Sequence, residues 1–269
     1  MLTPSRRAMS QGRISAVLGW VAITLVLTLA STTSVPAAAL CDLPVRQVMP
    51  KDAQPKFLED PYWRTRVGQL NHELVAARSR KIRLVILGDS IVEAWYPVVF
   101  QLFYGHRATL NLGVGGDNTQ GLLWRLAQIP LSTWRPRLVV LLIGANNIWI
   151  GKPAEDVALG IAEVVKQIRQ RSPESRILLI GLLPRGPDPS DPLRQMQERV
   201  NMLIARCADG NAIFYTNPGA LLLDAQGRLS DQIAHDYLHP SWVGYGILSA
   251  ALEPSIRRLL DSDRIPSAH

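Results

Sequence analysis

Ser90, Asp236 and His239 are the residue types that together make a hydroxyl nucleophilic. A serine hydroxyl attacks weakly until a base takes its proton. An imidazole is such a base near neutral pH, and a carboxylate on its other nitrogen fixes the tautomer and stabilises the imidazolium. Asp236 precedes His239 by three residues, so one tight turn lets them meet. Attack on a carbonyl creates an oxyanion, which needs fixed donors. The Gly116 amide suits that role because glycine lets backbone approach a substrate closely. The Asn146 side-chain amide is a second donor and the Ser90 backbone amide a third.

Taken singly, each block has a simpler structural use. Gly88-Asp89-Ser90 could be an N-cap and Gly115-Gly116-Asp117 a plain turn. Asn146-Asn147 could end a strand, and Asp236–His239 could cap the segment after Pro240. The glycines lack the spacing of a dinucleotide fingerprint. His72 and His106 have no metal-like partners and His235 reads as a solvated neighbour of the pair, so no metal is expected.

What joins the blocks is the elements before them. Leu84–Leu87 is an apolar run closed by Gly88, which reads as a buried parallel strand ending in a sharp turn. Similar runs occupy Thr109–Leu112, Leu138–Ile143, Ile177–Leu182 and Ala212–Tyr215. Helix-like segments lie at Ile91–Leu102, Thr119–Gln128, Ala154–Arg171, Leu193–Cys207 and Tyr245–Leu260. In Ala154–Arg171, Val157, Ile161, Val164, Val165 and Ile168 form an apolar stripe. Strands alternating with helices predict an α/β domain with a doubly wound, five-stranded parallel sheet. Ligands bind at the carboxyl ends of such strands, where these blocks fall.

The first part of the 269-residue chain differs in character. Arg6, Arg7 and Arg13 precede an uncharged apolar run, Ile14–Ala30, and small residues end in Ala37-Ala38-Ala39. This predicts a signal peptide over residues 1–39 and an exported, periplasmic or extracellular protein. The alternative is an uncleaved membrane anchor. An extension over residues 40–80 follows, with a linker or extended arm at Asp42–Lys56. It carries an amphipathic helix at Leu58–Arg78, its apolar residues being Trp63, Val67, Leu70, Leu74 and Val75. The domain is expected over 81–262 and a frayed tail over 263–269. The net charge is +7, and the leader arginines contribute three of those positive charges. With no basic stripe, nucleic-acid binding has no support. Cys41 and Cys207 could pair in an exported protein or stay free.

Ser, Gly, Asn and His in four ordered blocks resemble the SGNH (GDSL-type) hydrolases, and within them the platelet-activating factor acetylhydrolase alpha subunits. Asn111–Thr119 with Leu123–Leu126, Val139–Asn147, Gly181–Gly186, Pro192–Gln195 and Asp236–His239 carry the likeness. The resemblance implies a flavodoxin-like three-layer sandwich and no cofactor. It implies Ser90 as nucleophile, Asp236 and His239 as the acid–base pair, and Gly116 and Asn146 in the oxyanion hole. Because the related alpha subunits dimerise, it also implies a homodimer, which the extension could alter. The expected function is hydrolysis of a short-chain, acetyl-like ester of a lipid or carbohydrate. O-acyl transfer to envelope glycans and a non-catalytic binding module are the alternatives. Ile91, Ala145 and Leu238 are expected to line the acyl side of the pocket.

Overall fold

Strands without polar side chains need cover on both faces, and helices supply it here. The computed structural model describes residues 36–44 and 46–261. The expected leader as far as residue 35, and the expected tail, lie outside the described residues. Helix α1 (Ala37–Leu40) and α2 (Pro61–Ala77) precede the first strand, β1 (Leu84–Gly88). Then come α3 (Ser90–Glu93), α4 (Pro97–Tyr104), β2 (Thr109–Gly113), α5 (Thr119–Leu126), α6 (Leu131–Trp134) and β3 (Leu138–Leu142). The chain continues through α7 (Ala145–Trp149), α8 (Ala154–Arg171), β4 (Arg176–Ile180), α9 (Pro192–Ile204), β5 (Ile213–Thr216) and α10 (Trp242–Asp261).

The sheet is parallel and five-stranded, in the order β2-β1-β3-β4-β5. That order is the doubly wound, flavodoxin-like one, and it reverses direction between β1 and β3. Both of those central strands are buried along their whole length. Gly88 pairs with Gly113 on one side and Leu142 on the other, so three strand ends lie level. The turns that follow them open into one crevice.

The single helix expected over Ile91–Leu102 is two. α3 stops at Glu93, and Pro97 opens α4, where its missing N–H costs nothing. Tyr96, just before the proline, is extended, with φ −54° and ψ 121°. The break lets Trp95 turn inward and donate from Nε1 to Ser249 Oγ at 3.1 Å.

The arm expected at Asp42–Lys56 is in part a packed strap. Its Lys51–Ala53 turn buries Asp52, whose carboxylate accepts from Asn147 Nδ2 at 2.7 Å. The Asp52 carbonyl accepts from Thr119 Oγ1 at 2.7 Å. Gly160 makes room beneath, since a Cβ there would lie 2.5 Å from the Asp52 oxygen. Desolvated polar groups need such partners, and they are what hold the strap in place. The helix expected next is present as α2, capped by Asp60 on the Trp63 amide at 2.8 Å. Its buried face runs through Trp63, Val67, Leu70 and Leu74. Val75, expected on that face, is 74 % exposed.

Ala37 and Ala38, on the leader side of the expected cleavage point, are buried in the core cluster. Cys41 and Cys207 form a disulfide across 166 residues of sequence, tying the extension to the end of α9. Closing so long a loop restricts the unfolded chain and stabilises the fold by about 2–5 kcal/mol. Reduction, or a Cys41→Ser, Cys207→Ser double variant, should therefore lower the unfolding free energy from urea titration by that much, seen as a lower midpoint. An unchanged midpoint would mean the bond contributes nothing.

Candidate active site

Ser90 is the first residue of α3, directly beyond β1. Asp89 caps that short helix, accepting from the Ile91 amide at 3.0 Å. Opposite it, the Ala234–Ser241 segment makes the tight turn its spacing suggested. Tyr237 N–H donates to the Ala234 carbonyl at 2.9 Å, and Tyr237 itself is left-handed at φ 55°. A bulky residue in that region is strained, and here the strain redirects the chain between Asp236 and His239.

The turn sets Asp236 to two tasks. Its Oδ1 accepts from the Leu238 and His239 amides at 3.0 and 2.8 Å. Its Oδ2 lies 2.6 Å from His239 Nδ1, and His239 Nε2 lies 2.8 Å from Ser90 Oγ. With Nδ1 donating to the carboxylate, Nε2 is left to accept from the serine hydroxyl. Burial pushes the Asp236 carboxyl up, but the hydrogen bonds and charge of His239 outweigh it and hold the group below its ordinary value.

The other wall is the loop between β2 and α5. Gly116 is left-handed there, at φ 73°, which a side chain would disfavour. Asp117 is fully buried and pairs with Arg125, whose Nε and Nη2 donate to Oδ2 at 2.9 and 2.6 Å. Trp63 of α2 donates to the other carboxylate oxygen at 2.9 Å. Burial pushes this carboxyl above its ordinary value, and Arg125 and the indole offset only part of that rise. Asn146, at the start of α7, donates from Nδ2 to the Asp117 carbonyl at 2.7 Å. An amide nitrogen carries two hydrogens, so a second remains for another acceptor.

Ser90, Ile91, Ala145, Asn146 and Leu238 line one cleft of about 170 Å³. Gly116 is exposed in the adjoining loop, joined to the cleft through the Asn146–Asp117 bond. His72, His106 and His235 are exposed surface residues. Asn147 is structural, its Oδ1 accepting from the Thr119 amide at 3.1 Å.

Sequence reasoning left two lining residues out: Trp149 and Arg185 complete the cleft. Arg185 follows β4, so the strand-end rule that marked the other blocks could have found it. Trp149 lies one helical turn beyond Ala145, on the same side of α7. Glu93 was also missed. Its carboxylate accepts from the Gly115 amide and from Tyr62 Oη, bracing the β2–α5 loop from α3.

A serine hydroxyl, an imidazole and a carboxylate in hydrogen-bonded series, at the reversal point of a doubly wound sheet, define an α/β ester hydrolase. Residues 86–247 match the GDSL-like Lipase/Acylhydrolase family. Platelet-activating factor acetylhydrolase IB subunit alpha1 of Bos taurus is 35 % identical over 221 residues, 79 % of this chain and 91 % of that one. Subunit alpha2 of Homo sapiens is 33 % identical over 199 residues, 72 % and 85 % of the two chains. A GDSL-like lipase structure from Bacteroides thetaiotaomicron matches with a TM-score of 0.58 at 22 % identity, over 72 % of this chain and 97 % of that one. The acetylxylan esterase Axe2 of Geobacillus stearothermophilus matches with a TM-score of 0.53 at 17 % identity, over 70 % and 97 %. Those two structures share the fold. The chain belongs to the GDSL-like lipase/acylhydrolase family and is a carboxylic ester hydrolase.

Asp89 keeps one oxygen, Oδ2, buried without a partner. Burial drives this carboxyl up to about 7. A raised acid holds its proton in the folded state and loses it when unfolded, so stability falls as pH rises from about 4 to about 7. Asp89→Asn removes that proton linkage. Urea midpoints across that range should decline in the native protein relative to the variant. Parallel pH profiles would show that Asp89 ionises in the folded state as it does when unfolded.

Proposed function

We propose that the protein is an exported serine esterase that releases short acyl groups, acetyl above all, from a lipid or carbohydrate ester through an acyl-enzyme. The observation that carries the reading is the Ser90–His239–Asp236 series, with contacts of 2.8 and 2.6 Å, opening on the cleft. Ser90 Oγ attacks the ester carbonyl while His239 Nε2 takes its proton. The oxyanion that forms is met by the Ser90 and Gly116 amides and the free hydrogen on Asn146 Nδ2. Collapse breaks the bond to the alcohol oxygen, which receives the proton from His239. Water, deprotonated by the same nitrogen, then attacks the acyl-serine and frees the acid, restoring Ser90.

The cleft supports a short acyl group. At about 170 Å³, it is smaller than pockets that enclose a whole drug-sized ligand. Ile91 and Ala145 are buried at its floor, and Leu238 is half-buried beside them. Relatives 33–35 % identical are named acetylhydrolase subunits, which favours acetyl. Export is supported by the basic and apolar leader and by the Cys41–Cys207 disulfide, a bond that persists in oxidising compartments.

Ser90→Ala should abolish turnover of acetyl esters while leaving the thermal midpoint within a few degrees. Residual turnover at the native rate would remove Ser90 from the chemistry. Asn146→Ala should cost about 10²–10³ in kcat with the same esters, the loss typical of one oxyanion donor. A change confined to KM would assign Asn146 to substrate binding instead. Leu238→Ala should shift the preferred acyl length upward in a series of 4-nitrophenyl esters. An unaltered series would take Leu238 out of the acyl pocket.

A further inference from the structure

Arg185 is a cation with no carboxylate of its own. It is only 9 % exposed, yet its guanidinium belongs to the lining of the catalytic cleft. Among the described residues, no carboxylate stands within ion-pair distance of it. Its contact is with Trp149, the guanidinium carbon lying 5.0 Å from the ring centroid. Stacking of this kind orients a guanidinium and leaves its N–H edge open. The charges of Asp191 and Asp236 act on Arg185 through space, without bonding to it.

The position is built. Arg194, buried in α9, donates from Nε to the Arg185 carbonyl at 2.7 Å and from Nη2 to the Gly186 carbonyl. Gly186 N–H in turn donates to the Tyr237 carbonyl at 2.9 Å. The backbone that carries Arg185 is thus fixed to the turn that carries His239. Depth in the cleft tells which part of a substrate Arg185 would meet. Ile91 and Ala145 are buried at the floor, where a short acyl group ends. Trp149 is 64 % exposed, so the Trp149–Arg185 pair stands at the rim, where the alcohol portion leaves for solvent.

We propose that Arg185, seated on Trp149, is an oxyanion subsite for the alcohol portion of the ester, selecting substrates whose alcohol carries a carboxylate or a phosphate. A guanidinium that lines a cleft, held on an indole and without a fixed carboxylate, keeps its N–H donors turned to whatever enters, and a ligand oxyanion supplies a charge-assisted, bidentate bond there. This rests on the esterase reading above, and it narrows the substrate to acidic sugar esters or phosphate-bearing glycerol esters.

The test uses matched pairs that differ in one charge. Acetylated glucuronic acid is compared with acetylated glucose, and acetylglycerol phosphate with glyceryl monoacetate. Native protein should show kcat/KM at least ~10-fold higher for the anionic member of one pair or both, mainly through KM. The pair that responds tells carboxylate from phosphate. In Arg185→Gln the ratio should fall towards one, and Arg185→Lys should restore part of it. A role confined to holding Asp236 would lower both rates together and leave the ratio where it was, which overturns the proposal. So does a native protein without preference in either pair. Calorimetry with the same compounds and Ser90→Ala protein separates the two readings. If native protein turns over no ester but the anionic members still bind at least ~10-fold tighter through Arg185, the esterase reading fails and the subsite stands. If neither turnover nor binding favours the anionic members, the subsite fails alone.

Discussion

The buried guanidinium of Arg125 holds the strand ends on which the site is assembled. Besides its pair with Asp117, it donates to the Leu112 carbonyl at 3.0 Å and the Gly88 carbonyl at 3.3 Å. Those carbonyls belong to the last residue of β1 and the last but one of β2, and the Gly88 carbonyl also accepts from the Val114 amide at 3.1 Å. One side chain therefore satisfies two strand ends and the loop between them and α5. Such a pair is costly to bury and far costlier to break, because either partner alone would be an uncompensated charge. Its value here is geometric: the Asp117 carbonyl it fixes is the one that orients Asn146.

The facing wall uses the same device on independent residues. Arg194 gathers carbonyls of Arg185, Gly186 and Gly227, and Gly186 then holds the Tyr237 carbonyl. Each side of the crevice is thus braced by an arginine that never reaches it. The Ser90–His239 contact spans the two braced walls, and its length depends on both being rigid. α2 contributes to the first wall through Trp63, so the segment preceding the sheet belongs to the machinery of the site.

Sequence made the sheet legible because its strands are uninterrupted apolar runs closed by turn residues. Ser90, Asn146 and the Asp236–His239 turn were legible because each sits just past a strand or at a short, fixed spacing. What escaped was fixed by contacts distant in sequence. The strap at Lys51–Ala53 has no periodicity; Asp52 is ordered by Asn147 and Thr119, which nothing local announces. The burial of Arg125 and Arg194 was not legible, since a buried charge leaves no mark on its neighbours in the chain. The break between α3 and α4 was signalled by Pro97, but the apolar character on both sides masked it. Val75 fits the helical period of α2 yet points to solvent, because the period there is wider than the surface it meets.

Gly88 and Gly113 carry a last consequence. A methyl on Gly88 would sit 2.3 Å from the Leu142 carbonyl oxygen, and one on Gly113 would sit 2.2 Å from the Glu93 nitrogen. Main chain rests against main chain at both points, so alanine at Gly88 would force β1 from β3 and alanine at Gly113 would force β2 from α3. Evolution of new substrate ranges on this scaffold is thereby channelled outward. The nucleophile's seat is immutable, and diversity must come from the side chains ringing the mouth above it.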